Sequence, residues 1–122
     1  MITLDADSPV PPYEQVRAQF ARRIVDRELA AGTRLPTVRA LAADLGIAVN
    51  TVARAYRELE EAGLVETRGR AGTVVSAAGE RSRERVLSAA RSYAATAAEL
   101  GMPAGEALEI VRAALGLADP RA

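Results

Sequence analysis

Apolar residues fall along the chain in short helical bursts separated by glycine and proline. Ser8-Pro9-Val10-Pro11-Pro12 forms a stiff lead-in, and proline is well tolerated in a first helical turn. Tyr13, Val16, Phe20, Ile24 and Leu29 then recur at near-helical intervals, and Gly32 supplies a stop. The spacing predicts a helix of about 17 residues, with Arg17, Arg22 and Arg23 on its polar side. Arg34-Leu35-Pro36-Thr37 reads as a break followed by a cap, since the Thr37 hydroxyl can accept from the free amides of a new helix. Val38, Leu41, Ala42 and Leu45 stand at i, i+3, i+4 and i+7, the pattern of a short amphipathic helix. Gly46 closes that helix and Ile47 plugs the turn. A third helix is expected from Val49 to Ala62, with Val52, Ala55, Tyr56 and Leu59 inward and Gly63 ending it.

Two short helices joined by a glycine-containing turn are the signature of a helix-turn-helix. Directly after them, Leu64-Val65-Glu66-Thr67 and Thr73-Val74-Val75 are β-type runs flanking Arg68-Gly69-Arg70-Ala71-Gly72, which predicts a hairpin wing. Past Ser76-Ala77-Ala78-Gly79 the pattern changes. Val86, Ala90, Tyr93, Ala97 and Leu100 step by alternating fours and threes, the spacing of a coiled-coil seam. Gly101 stops this helix, Pro103 opens another carrying Leu108, Val111 and Leu115, and Gly116 ends it. A helical hairpin of this size cannot bury a core of its own and must pack on something else. The fold expected is mainly α with a small β-hairpin wing: a winged helix-turn-helix over residues 11–78 and a two-helix dimerisation tail over 79–117. The seam residues named above, Val86 to Leu100 and Leu108 to Leu115, are its expected dimer interface.

Composition narrows the chemistry. The 122 residues contain no Cys and no His, and every positive side chain is Arg. Thiolate chemistry, the usual zinc sites, a P-loop lysine and a Schiff base are thereby excluded. The remaining Asp, Glu, Ser, Thr and Tyr show no spacing that makes a catalytic site, so no enzyme and no cofactor is expected. The acidic start, Met1-Ile2-Thr3-Leu4-Asp5-Ala6-Asp7, is unlike a signal peptide, and no apolar run reaches the roughly 18 residues of a membrane span, so a cytoplasmic protein without membrane association is expected. Formal net charge is zero, which taken alone argues against a nucleic-acid partner. The distribution changes that reading: between Arg34 and Arg57 four arginines face a single acid, Asp44, whereas Glu58, Glu60 and Glu61 gather behind them.

The run Gly32-Thr33-Arg34-Leu35-Pro36-Thr37-Val38-Arg39-Ala40-Leu41-Ala42 resembles the opening of the GntR-type winged-helix regulators. Leu45-Gly46-Ile47, Thr51-Val52, Tyr56, Leu59, Gly63-Leu64-Val65 and the Gly69, Gly72-Thr73 pattern continue the resemblance in register, from about Pro11 to Val75. The short tail, Pro12-Tyr13-Glu14-Gln15 and the run Asn50 to Tyr56 look most like the YtrA subfamily. The resemblance implies a sequence-specific transcriptional regulator, a repressor, acting as a homodimer on a two-fold-symmetric operator in double-stranded DNA. Two positions depart from the family pattern: Ala48 stands where a polar cap is usual, and Val49 where many members carry Arg early in the recognition helix.

On this reading the third helix enters the major groove by its N-terminal half, where Asn50, Thr51 and Arg54 share an outward face. Asn suits adenine, Arg suits guanine or phosphate, and Val49 or the Thr51 methyl can meet a thymine methyl. Arg34, Arg39 and the Thr37 amides are expected at the backbone, and Arg68, Gly69, Arg70 and Gly72 form a wing able to reach the minor groove. Alternatives stand beside these assignments. Asn50 can instead cap its own helix, Tyr56 can be core rather than base-contacting, and the Tyr93 stripe can be a ligand site rather than an interface. A winged helix can also serve as a protein-binding module. A small-molecule effector, if there is one, is expected at the seam between tail and winged helix.

Overall fold

A computed structural model of the chain describes residues 2–117. In chain order the main elements are α1 (Pro12–Val25), α2 (Val38–Leu45), α3 (Val49–Glu61), β1 (Val65–Thr67), β2 (Thr73–Val75), α4 (Ser82–Glu99) and α5 (Ala104–Ala114). The chain divides into two units, the first ending at Arg83 and the second beginning at Glu84.

The first unit is built on one hydrophobic core. Val16, Phe20 and Ile24 of α1, Leu41 and Ala42 of α2, and Val52, Ala55, Tyr56 and Leu59 of α3 are all buried there, closed on one side by Val65 and Val75 of the hairpin. The helical periodicity of these positions explains the packing, because each helix turns one apolar stripe to the centre. β1 and β2 pair antiparallel, with Val65 opposite Val75 and Thr67 opposite Thr73. The mainly α fold with a hairpin wing is thus the observed one.

Three features differ from the sequence pattern. First, α1 ends at Val25 rather than running to Leu29. Arg27 takes a left-handed conformation (φ 61°), and the Glu28 amide reaches back to the Arg23 carbonyl at 2.9 Å. This closure turns the chain so that Leu29 packs against the core from a loop instead of from a helix. Second, part of the segment read as a break before α2 is paired with β2, Arg34 forming an isolated bridge to Val74. The Gly32 amide donates to the Val75 carbonyl and the Val75 amide to the Thr33 carbonyl, both at 2.8 Å, and Leu35 donates to Thr73 at 2.9 Å. β2 therefore lies between β1 and residues 32–35, and Arg34 stands opposite Val74. Third, the N-terminal stretch is held along α1. Gln19 exchanges hydrogen bonds with the Thr3 backbone and Gln15 with that of Asp5, so two side-chain amides one turn apart act as a partner strand. Ile2 is buried as a result.

The exit from the hairpin is also pinned. The buried Ser76 hydroxyl donates to the Gly63 carbonyl and accepts from the Gly79 amide at 2.9 Å, while the Ser82 hydroxyl donates to the Gly79 carbonyl at 2.6 Å. A Cβ on Gly79 would sit 2.7 Å from the Leu64 carbonyl oxygen and 3.2 Å from Ile24, so only glycine fits. The second unit is a helical hairpin of α4 and α5, with the Met102 amide closing the turn on Ala97 at 2.9 Å and the Tyr93 hydroxyl donating to the Ala107 carbonyl at 2.7 Å. Among its described residues Ala107 alone is buried, as a hairpin this small requires.

Two predictions follow from the core of the first unit. Gly79→Ala should lower the stability to urea by about 1–3 kcal/mol, the usual cost of forcing a group into a packed site. Tyr56 has its hydroxyl on the Pro36 carbonyl at 2.6 Å, and burial pushes its pKa up from the ordinary value of 10.0. The neutral form is the one the fold favours, so its contribution is intact below pH 10 and lost as pH climbs toward the folded-state value. Tyr56→Phe should cost about 1–2 kcal/mol at neutral pH, and thermal melts above about pH 10 should then fall less steeply than those of the wild type.

Candidate nucleic-acid interface

Helices α2 and α3 carry the residues expected to read DNA, and the turn between them fixes their relation. Gly46 closes α2, and the Ile47 amide reaches back to the Ala42 carbonyl at 3.1 Å, so α3 starts two residues later. Thr37 caps α2 as expected, its hydroxyl accepting from the Ala40 amide at 3.1 Å. Arg39 lies exposed in the first turn of the same helix.

α3 buries Val52, Ala55, Tyr56 and Leu59 and turns its other face outward. At its start, Val49 is 46% exposed, Asn50 is exposed and Thr51 half-buried. No side chain caps this N-terminus, so Asn50 does not take the place of the missing polar cap at Ala48. Arg54, one turn on, is exposed too. Its guanidinium lies over the Tyr13 ring, with Cζ 3.6 Å from the centroid, and its Nε donates to Glu58 at 3.2 Å. Glu58 therefore does not stand free as the acidic continuation of the reading face. Tyr56 resolves the other way: it is buried, edge-on to Phe20 with centroids 5.7 Å apart, and belongs to the core.

The wing is a tight closure. The Arg68 amide donates to the Gly72 carbonyl at 2.8 Å, and a single 3₁₀ turn, Gly69–Ala71, makes the tip. Gly72 has φ 75° and ψ −148°, a backbone region that side-chain-bearing residues avoid. The Arg34 side chain comes against this glycine, its Nε 3.4 Å from where a Cβ would be. Arg68 is ion-paired to Glu66 on the strand, while Arg70 is exposed at the tip. The structure thus sets Arg39, Asn50 and Arg54 on the exposed surfaces of α2 and α3, and Gly69, Arg70 and Gly72 on the wing, with Arg34 bridged to its second strand. Arg54 is held by Glu58, which the sequence reading set among the acids behind the arginines, and by Tyr13, which that reading placed on α1 alone. Their signal is three-dimensional: Tyr13 lies 41 positions from Arg54 along the chain.

In the second unit the expected seam residues separate into two groups. Tyr93, Ala97, Leu108 and Val111 line a groove of about 360 Å³ between α4 and α5. Val86, Leu100 and Leu115 are exposed, by 69%, 76% and 68%, and Ala90 is exposed with them outside the groove.

Comparison with known proteins agrees with this geometry. The family of bacterial regulatory proteins, gntR family, matches residues 12–75. Over 107 residues, covering 88% of each chain, the protein is 44% identical to the HTH-type transcriptional regulator Rv1152 of Mycobacterium tuberculosis. Over 77 residues, 62% of this chain and 58% of the other, it is 43% identical to the HTH-type transcriptional repressor YtrA of Bacillus subtilis. A solved structure, YtrA from Sulfolobus acidocaldarius, a GntR-family transcription factor, is similar over 76% of this chain and 97% of that one, with a TM-score of 0.59 and 33% identity. The chain belongs to the gntR family of bacterial regulatory proteins, and it is a DNA-binding transcriptional regulator.

Proposed function

We propose that the chain works as a homodimeric repressor, in which the N-terminal half of α3 from each protomer reads one half-site of a two-fold-symmetric operator in double-stranded DNA. The observation that carries this reading is the outward row of exposed Val49, Asn50 and Arg54 with half-buried Thr51, on a helix whose opposite face is wholly committed to the core. Such a helix fits the major groove, with Asn50 suited to adenine and Arg54 to guanine. Thr37 at the start of α2 and Arg39 beside it suit phosphate contacts, and Arg34, Arg70 and the wing glycines suit the neighbouring backbone or minor groove. The repressor sense follows the B. subtilis relative, which is named a transcriptional repressor.

Homodimerisation through the tail is supported by its uncovered apolar surface. Val86, Leu100 and Leu115 leave large side chains in water, a cost that a second copy of the tail would remove. In this proposal residues 11–78 form the DNA-reading unit and 79–117 the dimerisation tail. Among the described residues no helix is long and apolar enough to cross a membrane, consistent with a regulator working in the cytoplasm. A small-molecule effector would act by changing the spacing of the two reading heads.

Fluorescence anisotropy tests the DNA reading. The full chain should bind the DNA upstream of its own coding sequence at least about 10³-fold more tightly than a scrambled duplex, with log affinity falling linearly against log salt. Replacing Asn50, Thr51 and Arg54 together by Ala should abolish the preference, whereas equal binding of wild type to every duplex would refute specific recognition. Truncation after Arg83 tests the tail: sedimentation should show a folded monomer that binds single half-sites weakly. A truncated protein that stays dimeric would move the principal interface elsewhere.

A further inference from the structure

We propose that Tyr13, on a helix that takes no part in reading bases, is the positioning residue that gives Arg54 its base specificity; this rests on the reading of α3 as the recognition helix. Arg54 is the longest side chain on the reading face, and a free arginine at such a site samples many rotamers and can settle on any nearby phosphate. Here two contacts restrict it. The Tyr13 ring takes one face of the guanidinium at 3.6 Å, and Glu58 takes its Nε at 3.2 Å. The edge carrying the two terminal nitrogens is the part left for a ligand, and the side chain is 53% exposed. Two parallel N–H donors in a fixed plane match the O6 and N7 acceptors that guanine shows in the major groove. The Glu58 carboxylate beside them disfavours a phosphate at the same place, so the arrangement selects a base edge over the backbone.

The placement of Tyr13 is itself built into the fold. Pro12 opens α1, and the Gln15 side chain donates to the Val10 carbonyl at 2.8 Å, tying the proline-rich lead-in to the helix it begins. Arg17, one turn further on, is paired with Glu14 and lies in the field of Glu58, so the same helix face also steadies the carboxylate. The stiff lead-in thereby has a role beyond starting α1: it holds an aromatic platform under a reading arginine.

The test uses the full chain and a library of double-stranded oligonucleotides randomised over the binding region, with enriched sequences counted for wild type, Arg54→Ala, Tyr13→Leu, Tyr13→Phe, Glu58→Gln and the Tyr13→Leu/Arg54→Ala double variant. Wild type should enrich sites with a guanine at one symmetry-related pair of positions, and Arg54→Ala should lose the preference there. Tyr13→Leu should relax that same pair and leave the others, weakening the enriched site about tenfold while binding to random DNA stays as before. Tyr13→Phe keeps the ring face and should retain the guanine preference. The double variant should be no less selective than Arg54→Ala alone. Glu58→Gln, a surface change, should weaken the preference at the same pair and serves if Tyr13→Leu melts early. The proposal is overturned if Tyr13→Leu and Glu58→Gln leave that pair unchanged, if they relax all positions together, or if Tyr13→Leu binds more tightly, since the ring would then be sequestering Arg54. A wild-type protein that enriches no sequence would overturn the recognition-helix reading itself, and the role of Tyr13 with it.

Discussion

The arrangement of the surface proposed to read DNA depends on one buried side chain. Tyr56 belongs to α3, its ring edge packs on Phe20 of α1, and its hydroxyl donates to the Pro36 carbonyl just before the cap of α2. Three helices thus meet at a single residue. The hydrogen bond is worth more than its own energy suggests, because it sets where Thr37 and Arg39 stand relative to Asn50 and Arg54. A polar atom at that depth costs free energy unless paired, so few alternative placements of α2 against α3 are stable. Recognition surfaces need this kind of rigidity, since displacing a reading helix by about 1 Å would misplace its donors.

Around that joint the small sheet performs a second task. Residues 32–35 hydrogen-bond to β2, so the same segment leads into α2 and sets Arg34 against Gly72 of the wing. The wing and the helix-turn-helix are therefore parts of one hydrogen-bonded frame. Electrostatics follows the same economy. The chain is neutral overall, yet Glu14 pairs with Arg17, Asp26 with Arg22 and Glu66 with Arg68 close to home. Exposed pairs of this sort add little stability. They do localise the charge, which is why neutrality of the whole says little about the face presented by α2, α3 and the wing tip.

Much of this was legible in the sequence because it is local. The period of Val38, Leu41, Ala42 and Leu45, the Thr37 cap and the glycines at 46 and 63 depend on neighbours within one or two turns, and the helices stand close to where the pattern puts them. The end of α1 was not legible, since Leu29 is apolar at nearly the right phase and only the closure at Arg27 shows that it packs from a loop. The pairing of Arg34 was not legible in a stretch read as a stop at Gly32 and a break from Arg34, because its partner Val74 lies about 40 residues downstream. The amide ladder of Gln15 and Gln19 leaves no mark in hydrophobic periodicity. Nor does the stacking of Arg54 on Tyr13, which needs α1 and α3 to be packed before it exists. The outward residues of α3 could be named from the sequence; the contacts that hold Arg54 in place could not.

Entry of α3 into the major groove is addressed most directly by methylation interference on the complex of this chain with DNA. Methylation at guanine N7 blocks the major-groove edge, whereas methylation at adenine N3 blocks the minor groove. The account predicts interference from guanine N7 at symmetry-related positions in both half-sites, with adenine N3 effects confined to sequence reached by the wings. Interference from adenine N3 alone, or from neither, would contradict it.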